Sequence, residues 1–437
     1  MISRRVQYEL AGRVVGPALM ALQGAQRSLR GRRPRPDGPF GPPLEAGRKL
    51  KELMTVQYLQ GRYADGAVPV AWATSGFPVE ALRALGFYVH YPENHGALCG
   101  ARRQVPEIAG VAEKAGYSAD LCAYARTDLG SVLSSVTPVG RVPRPDLLAC
   151  CTNICQTVLY WYRALAEHFK VPLVLIDTPY NYGEPKPHHL AYVKEQLAEL
   201  VQAAERVGGR RLDSGELVEV LERSRQGTHL WRECLATGTR RPSPWTGFDG
   251  FIHMAPIVAM RGTEECNAYY RLLKDELEDR VARGVGGIKN ERYRLLWDNL
   301  PIWYRIRELS TSFAEAGFNF VCTTYTNAWA ETADLIRPED PGGSGAEAYS
   351  LVLLNRDLPN RLRVMKGLAQ QFGVQGAVLH SDRSCKPYSI GQLDLKERLA
   401  EEAHLKVVLL EADHADPRAF SEEQVKTRVQ AFIESFA

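Results

Sequence analysis

Short, nearly continuous apolar runs alternate with amphipathic helical patterns from residue 68 to residue 410, and this rhythm restricts the chain to a small set of folds. The runs 68–73 (VPVAWA), 87–91, 147–151 and 171–176 are followed, after a gap, by 294–297, 319–323, 376–380 and 406–410. A strand covered by helices on both faces has no polar side to alternate with, so it reads as a continuous apolar stretch. Helical patterns fall between the runs, at 78–85, 156–169, 263–282, 304–316, 355–372 and 394–404. A final helix opens at Ser421, with Gln424 three residues on in the spacing of a capping box. Residues 188–234 carry no strand signal, and Leu190, Val193, Leu197, Leu200, Val201 and Ala204 share one helical face. The expected architecture is α/β, with two doubly wound parallel-sheet lobes joined by a helical connector and preceded by a helical N-terminal region. The corresponding segments are 1–65, 66–187, 188–245 and 246–437.

Composition narrows the function classes. A 45% hydrophobic and 24% charged chain of 437 residues is ordinary globular material, long enough for more than one domain. A net charge of +3 gives no general attraction to nucleic acid or acidic membranes. The basic stretch 27–35 (RSLRGRRPR), inside a Pro/Gly-rich segment running to Pro43, reads as a solvated arm. No apolar run approaches the roughly 18 residues of a membrane span, and MISRRVQYEL lacks the apolar core of a signal peptide. The expectation is a cytoplasmic protein. Nine cysteines in a reducing compartment point to metal or thiol chemistry rather than disulfides. Neither a G-x-x-x-x-G-K-[ST] loop nor a G-x-G-x-x-G turn between strand and helix is present, so ATP and dinucleotides are not expected ligands.

In open parallel sheets, ligands gather beyond the carboxyl ends of the strands. Cys155 (TNICQTVLYW) follows the run 147–151 and opens a helix, and Cys385 (HSDRSCKPYSIGQ) follows the run 376–380 in the same way. Cys122 (LCAYARTDLG) falls in a helical pattern of the first lobe. A helix N-terminus favours a thiolate, and Arg126 or Arg383 would add to that. None of the three belongs to a C-x-x-C pair, and a buried cysteine is often only a small core residue. Cys99 competes for a place in the set. Cys150, Cys151, Cys234, Cys266 and Cys322 sit in strand or helix contexts that suit plain packing.

The segments TNICQTVLYWYRAL, VPLVLIDTP, HSDRSCKPYSIGQ, FDGFIHMAPIVAMRGTEE and EADHADPRAFSEEQVKTR resemble the 2-hydroxyacyl-CoA dehydratase and benzoyl-CoA reductase family, in particular the B-type subunit of its reductase branch. The resemblance runs from about Val68 to the C-terminus. It implies a 4Fe-4S cluster held by Cys122, Cys155 and Cys385, with Glu80, in a P-x-E motif, near the substrate. His380 and Ser381, which flank Cys385, are candidates to position the acyl group or relay protons. Ser75, His90, His95, Ser389 and Gln392 have the same two readings, site contact or structural hydrogen bonding. The implied activity is delivery of low-potential electrons to the ring of benzoyl-CoA. The implied partners are a related second cluster-bearing (C-type) subunit and an ATP-hydrolysing iron–sulfur activator, with ferredoxin behind it. Dehydration of a 2-hydroxyacyl-CoA is the rival within the family. An electron-transfer protein of the same fold and a metal-free thiol enzyme are the rivals outside it.

Overall fold

The computed structural model describes residues 3–29 and 38–436. All eight expected strands form, in two four-stranded parallel sheets. The first contains β1 (Val70–Ala73), β2 (Tyr88–His90), β3 (Leu147–Cys151) and β4 (Leu173–Ile176), in the order β2-β1-β3-β4. The second contains β5 (Tyr293–Asp298), β6 (Phe318–Thr323), β7 (Gly376–Asp382) and β8 (Lys406–Ala412), in the order β6-β5-β7-β8. Numbered from its own first strand, each sheet therefore has the same order, 2-1-3-4.

The apolar runs are continuous because each sheet is covered on both faces. Ala71, Ala73, Val89 and Ala149 pack into one core, while Val70, Trp72, Leu148 and Cys150 pack into another on the opposite side. In the second sheet Leu295, Trp297 and Val378 face one core and Leu296, Ala377 and Leu379 the other. Leu300, Tyr388 and Ala415 of the second lobe join a core of the first, so the lobes share buried apolar surface.

Two long helices, Pro187–Gly208 and Ser214–Ala236, separate the sheets along the chain. The N-terminal region is helical from Arg4 to Leu29, with a π-helical turn at Ala11–Val15, and again over Ala46–Gly61. The Glu276 carboxylate accepts from the N–H groups of Glu45 (2.7 Å) and Ala46 (2.8 Å), which docks this region on the body of the protein. The basic arm expected from residue 27 is still helical to Leu29, and its residues 30–37 lie outside the described residues. Ser421 stands at the N-cap of Glu422–Glu434, but its side chain makes no capping bond, so the capping box does not form. Among the described residues no helix is long and apolar enough to cross a membrane.

The helix Ala123–Ser134, which begins just after Cys122, lies unusually close to Val105–Lys114. A Cβ at Gly130 would stand 1.9 Å from the carbonyl oxygen of Ile108. Gly130→Ala is therefore expected to force the helices apart and to cost about 1–3 kcal/mol or more. Urea denaturation checks this, and an unchanged midpoint would contradict the tight contact.

Candidate functional site

The carboxyl ends of both sheets meet at one interior cavity of about 400 Å³. Ser75 follows β1, Glu93 follows β2 and Cys155 follows β3, and all three line the cavity. From the second lobe come Leu300 after β5, Tyr325 after β6, Cys385 after β7 and His414 after β8. Cys122 lines the same space from the connection between β2 and β3. The three cysteines singled out in the sequence thus converge on one cavity.

Each of the three occupies the N-cap position of a helix: Cys122 before Ala123–Ser134, Cys155 before Gln156–Phe169 and Cys385 before Lys386–Ser389. None spends its sulfur on a side-chain capping bond. The turns that present them are pinned. Before Cys155, Thr152 Oγ1 donates to Asp177 Oδ1 (2.9 Å) and Asn153 Nδ2 to the Tyr349 carbonyl (2.8 Å). Beside Cys385, Ser389 Oγ donates to the Asp382 carbonyl (2.6 Å), and Arg361 Nη1 donates to the Pro387 carbonyl (3.0 Å). The Ala123 N–H, one residue after Cys122, donates to Ser384 Oγ (3.1 Å), which in turn donates to Asp413 Oδ2 (2.5 Å). That chain ties the Cys122 helix of one lobe to the Cys385 loop of the other.

Burial pushes the Cys155 thiol up to about 12, and the neighbouring Cys122 adds to this; the N–H groups of Val158 and Thr157 pull the other way. Cys385 is raised well above the usual thiol range by burial, then by Asp382, Cys122 and Cys155. A bound metal would displace these protons. A single tetrahedral zinc ion holds its sulfurs about 3.8 Å apart. Among the described residues, however, the only trio of His, Cys, Asp or Glu donor atoms within 4.8 Å of one another is Asp382, Asp413 and His414. Cys122, Cys155 and Cys385 do not form such a trio, so at least one pair of their sulfurs stands more than 4.8 Å apart. The Asp382–Asp413–His414 trio needs no cation, because His414 supplies the positive charge. Its Nδ1 donates to Asp382 Oδ2 (2.7 Å). Burial works against that charge, but Asp382 and Asp413 raise the imidazole well above its usual range, and Cys122 contributes in the same direction.

The most perturbed acid of the site is Glu93. It lines the cavity, and neither carboxylate oxygen makes a hydrogen bond of ordinary geometry. Burial pushes its carboxyl up to about 8, against a weaker pull from backbone N–H groups at Glu93 and Ser75. A second buried acid, Asp128, is pushed up to about 7 by burial and accepts from Trp161 Nε1 (2.8 Å). Nothing in the sequence singled out Glu93 or His414. PENH and EADH look like a helix start and a polar loop, and only the strand ends before them hinted at a site.

Other expected residues fall in different places. Glu80 lines the cavity, buried and paired with Arg261, rather than standing on the surface. His380 and Ser381 lie within β7 and are not among the cavity-lining residues; His380 Nδ1 donates to the Leu300 carbonyl (2.7 Å). Gln392 Nε2 binds Asp298 Oδ2 and the His380 carbonyl, both at 3.0 Å. His90 and His95 are buried and shifted down by burial, and His95 bonds Thr137 Oγ1 (2.7 Å). Cys99 packs beside His95 and does not reach the cavity. The expected arginine support for the cysteines does not form. Arg126 is committed to Glu113 and Asp416, and Arg383 pairs with Glu411 at the surface. His414 takes that place.

A pair of parallel α/β lobes closing on one cavity that gathers three thiols and a buried carboxyl is the arrangement that defines this site. The sequence model of the 2-hydroxyglutaryl-CoA dehydratase, D-component family matches residues 74–436, and the chain belongs to that family. It is 34% identical over 394 residues to the (R)-2-hydroxyisocaproyl-CoA dehydratase alpha subunit of Clostridioides difficile, covering 89% of this chain and 96% of that protein. It is 33% identical over 370 residues to the (R)-phenyllactyl-CoA dehydratase alpha subunit of Clostridium sporogenes, covering 84% and 89%. The B-type subunit of benzoyl-CoA reductase from Thauera aromatica is 29% identical over 402 residues, covering 88% and 93%. The family anticipated from the motifs holds, whereas the similarity does not single out its reductase branch.

The Glu93 shift has a sign that can be measured. Between its unfolded value near 4.5 and its folded value of about 8, the folded state holds a proton that the unfolded state has lost. Stability then falls as pH rises through that window, by up to about 1.4 kcal/mol per unit. Glu93→Gln is expected to remove about 2 kcal/mol of the stability loss between pH 5.5 and 7.5. Parallel urea midpoints for the two proteins across that range would contradict a buried, neutral Glu93.

Proposed function

We propose that this chain is the alpha-type subunit of an acyl-CoA enzyme in which Cys122, Cys155 and Cys385 hold a 4Fe-4S cluster beside the substrate. The observation that carries this reading is the meeting of three N-cap cysteines, drawn from both lobes, in a cavity shared with Glu93. The donor set fits the group. At least one pair of the sulfurs is more than 4.8 Å apart, wider than the shell of one ion requires, and helix N-termini and the charged His414 offset negative charge on the sulfurs. When bound, such a cluster supplies single electrons at low potential and one iron free of a protein ligand.

The preferred reaction is removal of water from a 2-hydroxyacyl-CoA, which agrees with the names of the relatives at 33–34% identity. The hydroxyl leaves C2, a proton leaves C3, and the two depart as water to give the 2-enoyl-CoA, with no net redox change. Glu93 is the residue suited to the proton traffic. Its carboxyl is protonated near neutral pH, so it can protonate the departing hydroxyl and, as carboxylate, take the C3 proton. The apolar walls exclude water, and His414 fixes a positive charge beside Cys122.

A second, related subunit completes the enzyme in this reading, and a separate ATP-hydrolysing iron–sulfur activator, fed by ferredoxin, supplies the electron. Reduction of benzoyl-CoA is the second reading. It is favoured by the B-type motifs and by an aromatic cavity wall that includes Trp161, Tyr325, Trp329 and Tyr349.

Anaerobic iron and sulfide analysis of the co-expressed complex tests the cluster, and Cys122→Ala, Cys155→Ala and Cys385→Ala are each expected to lower both contents. A colourless, iron-free wild type would overturn the reading in favour of a thiol enzyme. Glu93→Gln is expected to keep the iron and lose at least about 100-fold in turnover, the scale of a missing general acid–base. Assays of one preparation with (R)-2-hydroxyacyl-CoA thioesters and with benzoyl-CoA separate the two reactions. Turnover of benzoyl-CoA alone would replace the dehydratase reading with the reductase.

A further inference from the structure

The cavity wall also holds an ion pair that the proton and thiol chemistry above does not use. Glu80 and Arg261 have side chains only 10% and 11% exposed, and both line the cavity. Arg261 Nε donates to Glu80 Oε1 (2.8 Å), which also accepts from Ser224 Oγ (2.9 Å). Arg261 Nη2 donates to the Phe77 carbonyl and to the Tyr349 hydroxyl, both at 2.8 Å.

A guanidinium has five N–H donors in one rigid plane. Three of them are spent on these contacts. The two on Nη1 have no acceptor among the described residues. Nη1 is not sealed within the protein; it is accessible where Arg261 lines the cavity, and so it is free to donate to an acceptor on whatever fills that space. The fork cannot swing away to solvent, because Glu80, Phe77 and Tyr349 hold it from three sides. Tyr349 is itself fixed through its carbonyl, which accepts from Asn153 two residues before Cys155. The orientation of Arg261 is therefore tied to the turn that presents a thiol.

We infer that Arg261 is a substrate-binding residue: through Nη1 it donates to a carbonyl oxygen of the acyl-thioester arm, and Glu80 is the residue that positions it. The inference rests on the acyl-CoA reading given under Proposed function. It also gives Glu80 a task other than proton transfer, since its Oε1 is already occupied by two donors, one of them a guanidinium.

The test is equilibrium binding of a saturated acyl-CoA, which lacks the 2-hydroxyl and does not react, to the assembled cluster-bearing complex. Arg261→Gln is expected to raise Kd at least about tenfold, the range for a hydrogen bond to a charged donor. Because that change leaves Glu80 buried without its cation, Arg261→Lys serves beside it. Lysine keeps the pair with Glu80 but lacks the planar fork, so it retains the fold and still loses affinity. Glu80→Ala is expected to weaken binding, and Glu80→Gln, whose amide oxygen still accepts from Nε, to restore most of it. Wild-type affinity in both Arg261 variants would overturn the inference. So would a Glu80→Gln protein that binds normally yet turns over as poorly as Glu80→Ala, because that pattern belongs to a proton-transfer group. A wild type that binds no acyl-CoA defeats the functional reading itself, whereas wild-type binding that is indifferent to these changes defeats only the role of Arg261.

Discussion

The Ala123 N–H donating to Ser384 Oγ, and Ser384 Oγ to Asp413, is the connection on which the site depends. One end belongs to the helix that Cys122 caps, and the other to the loops after β7 and β8. Around it are Asp382, Asp413 and His414, each about 1% exposed. Two carboxylates buried so closely are costly unless something positive joins them, and the imidazolium does this while also facing Cys122. Asp413 Oδ1 takes in addition the N–H groups of Ala415 and Asp416, both at 2.8 Å. Each lone pair used in this way fixes a loop. That polar network joins the elements that carry Cys122 and Cys385, alongside the apolar core against which both cysteines pack.

The same charge balance governs the protons. Burial favours the neutral form of the acids and thiols that line the cavity, and the charged form survives only where a partner sits within hydrogen-bond reach. Asp382 has such a partner and is drawn below its usual range, despite burial, by His414. Glu93 has no charged partner, and burial outweighs the pull of the nearby Glu93 and Ser75 N–H groups. The site therefore sorts its carboxyls into a fixed charge and a mobile proton, an assignment made by local partners alone. Cys155 and Cys385 follow the neutral rule, so a metal that enters must release their protons and replace them with its own charge.

The strands were legible because burial on both faces leaves a continuous apolar run, and all eight form where such runs occur. Cys155 and Cys385 were legible for a related reason, since a cysteine just beyond a strand and just before a helix lies where parallel sheets bind ligands. Cys122 rested more on the family motif. Glu93 was missed because nothing in PENH says that the carboxylate turns inward; its neutrality comes first from burial among groups remote in sequence, with Asp128 adding to it. The arginines failed in the opposite direction. Arg126 and Arg383 are close to cysteines along the chain, but each finds a carboxylate elsewhere, and such pairing is a tertiary fact. Glu80 shows the same limit, because its partner Arg261 lies 181 residues away.

The two sheets repeat one strand order, and this explains why the chemistry needs both. In an order of 2-1-3-4, the crevice opens between the first and third strands, where the connections leave in opposite directions. Cys155 follows the third strand of the first sheet and Cys385 the third strand of the second, so the two thiols occupy equivalent positions in the two lobes. A single lobe offers one such position. Opposed through their carboxyl ends, two lobes offer a pair of thiols on facing walls, and the β2–β3 connection adds Cys122 as a third. Helix N-termini then approach from both sides, and the walls of the space between are largely apolar. The spacing of the three thiols depends on how the two lobes meet. The buried bonds of Ser384 to Ala123 and of Arg126 to Asp416 (3.0 Å) join the lobes there.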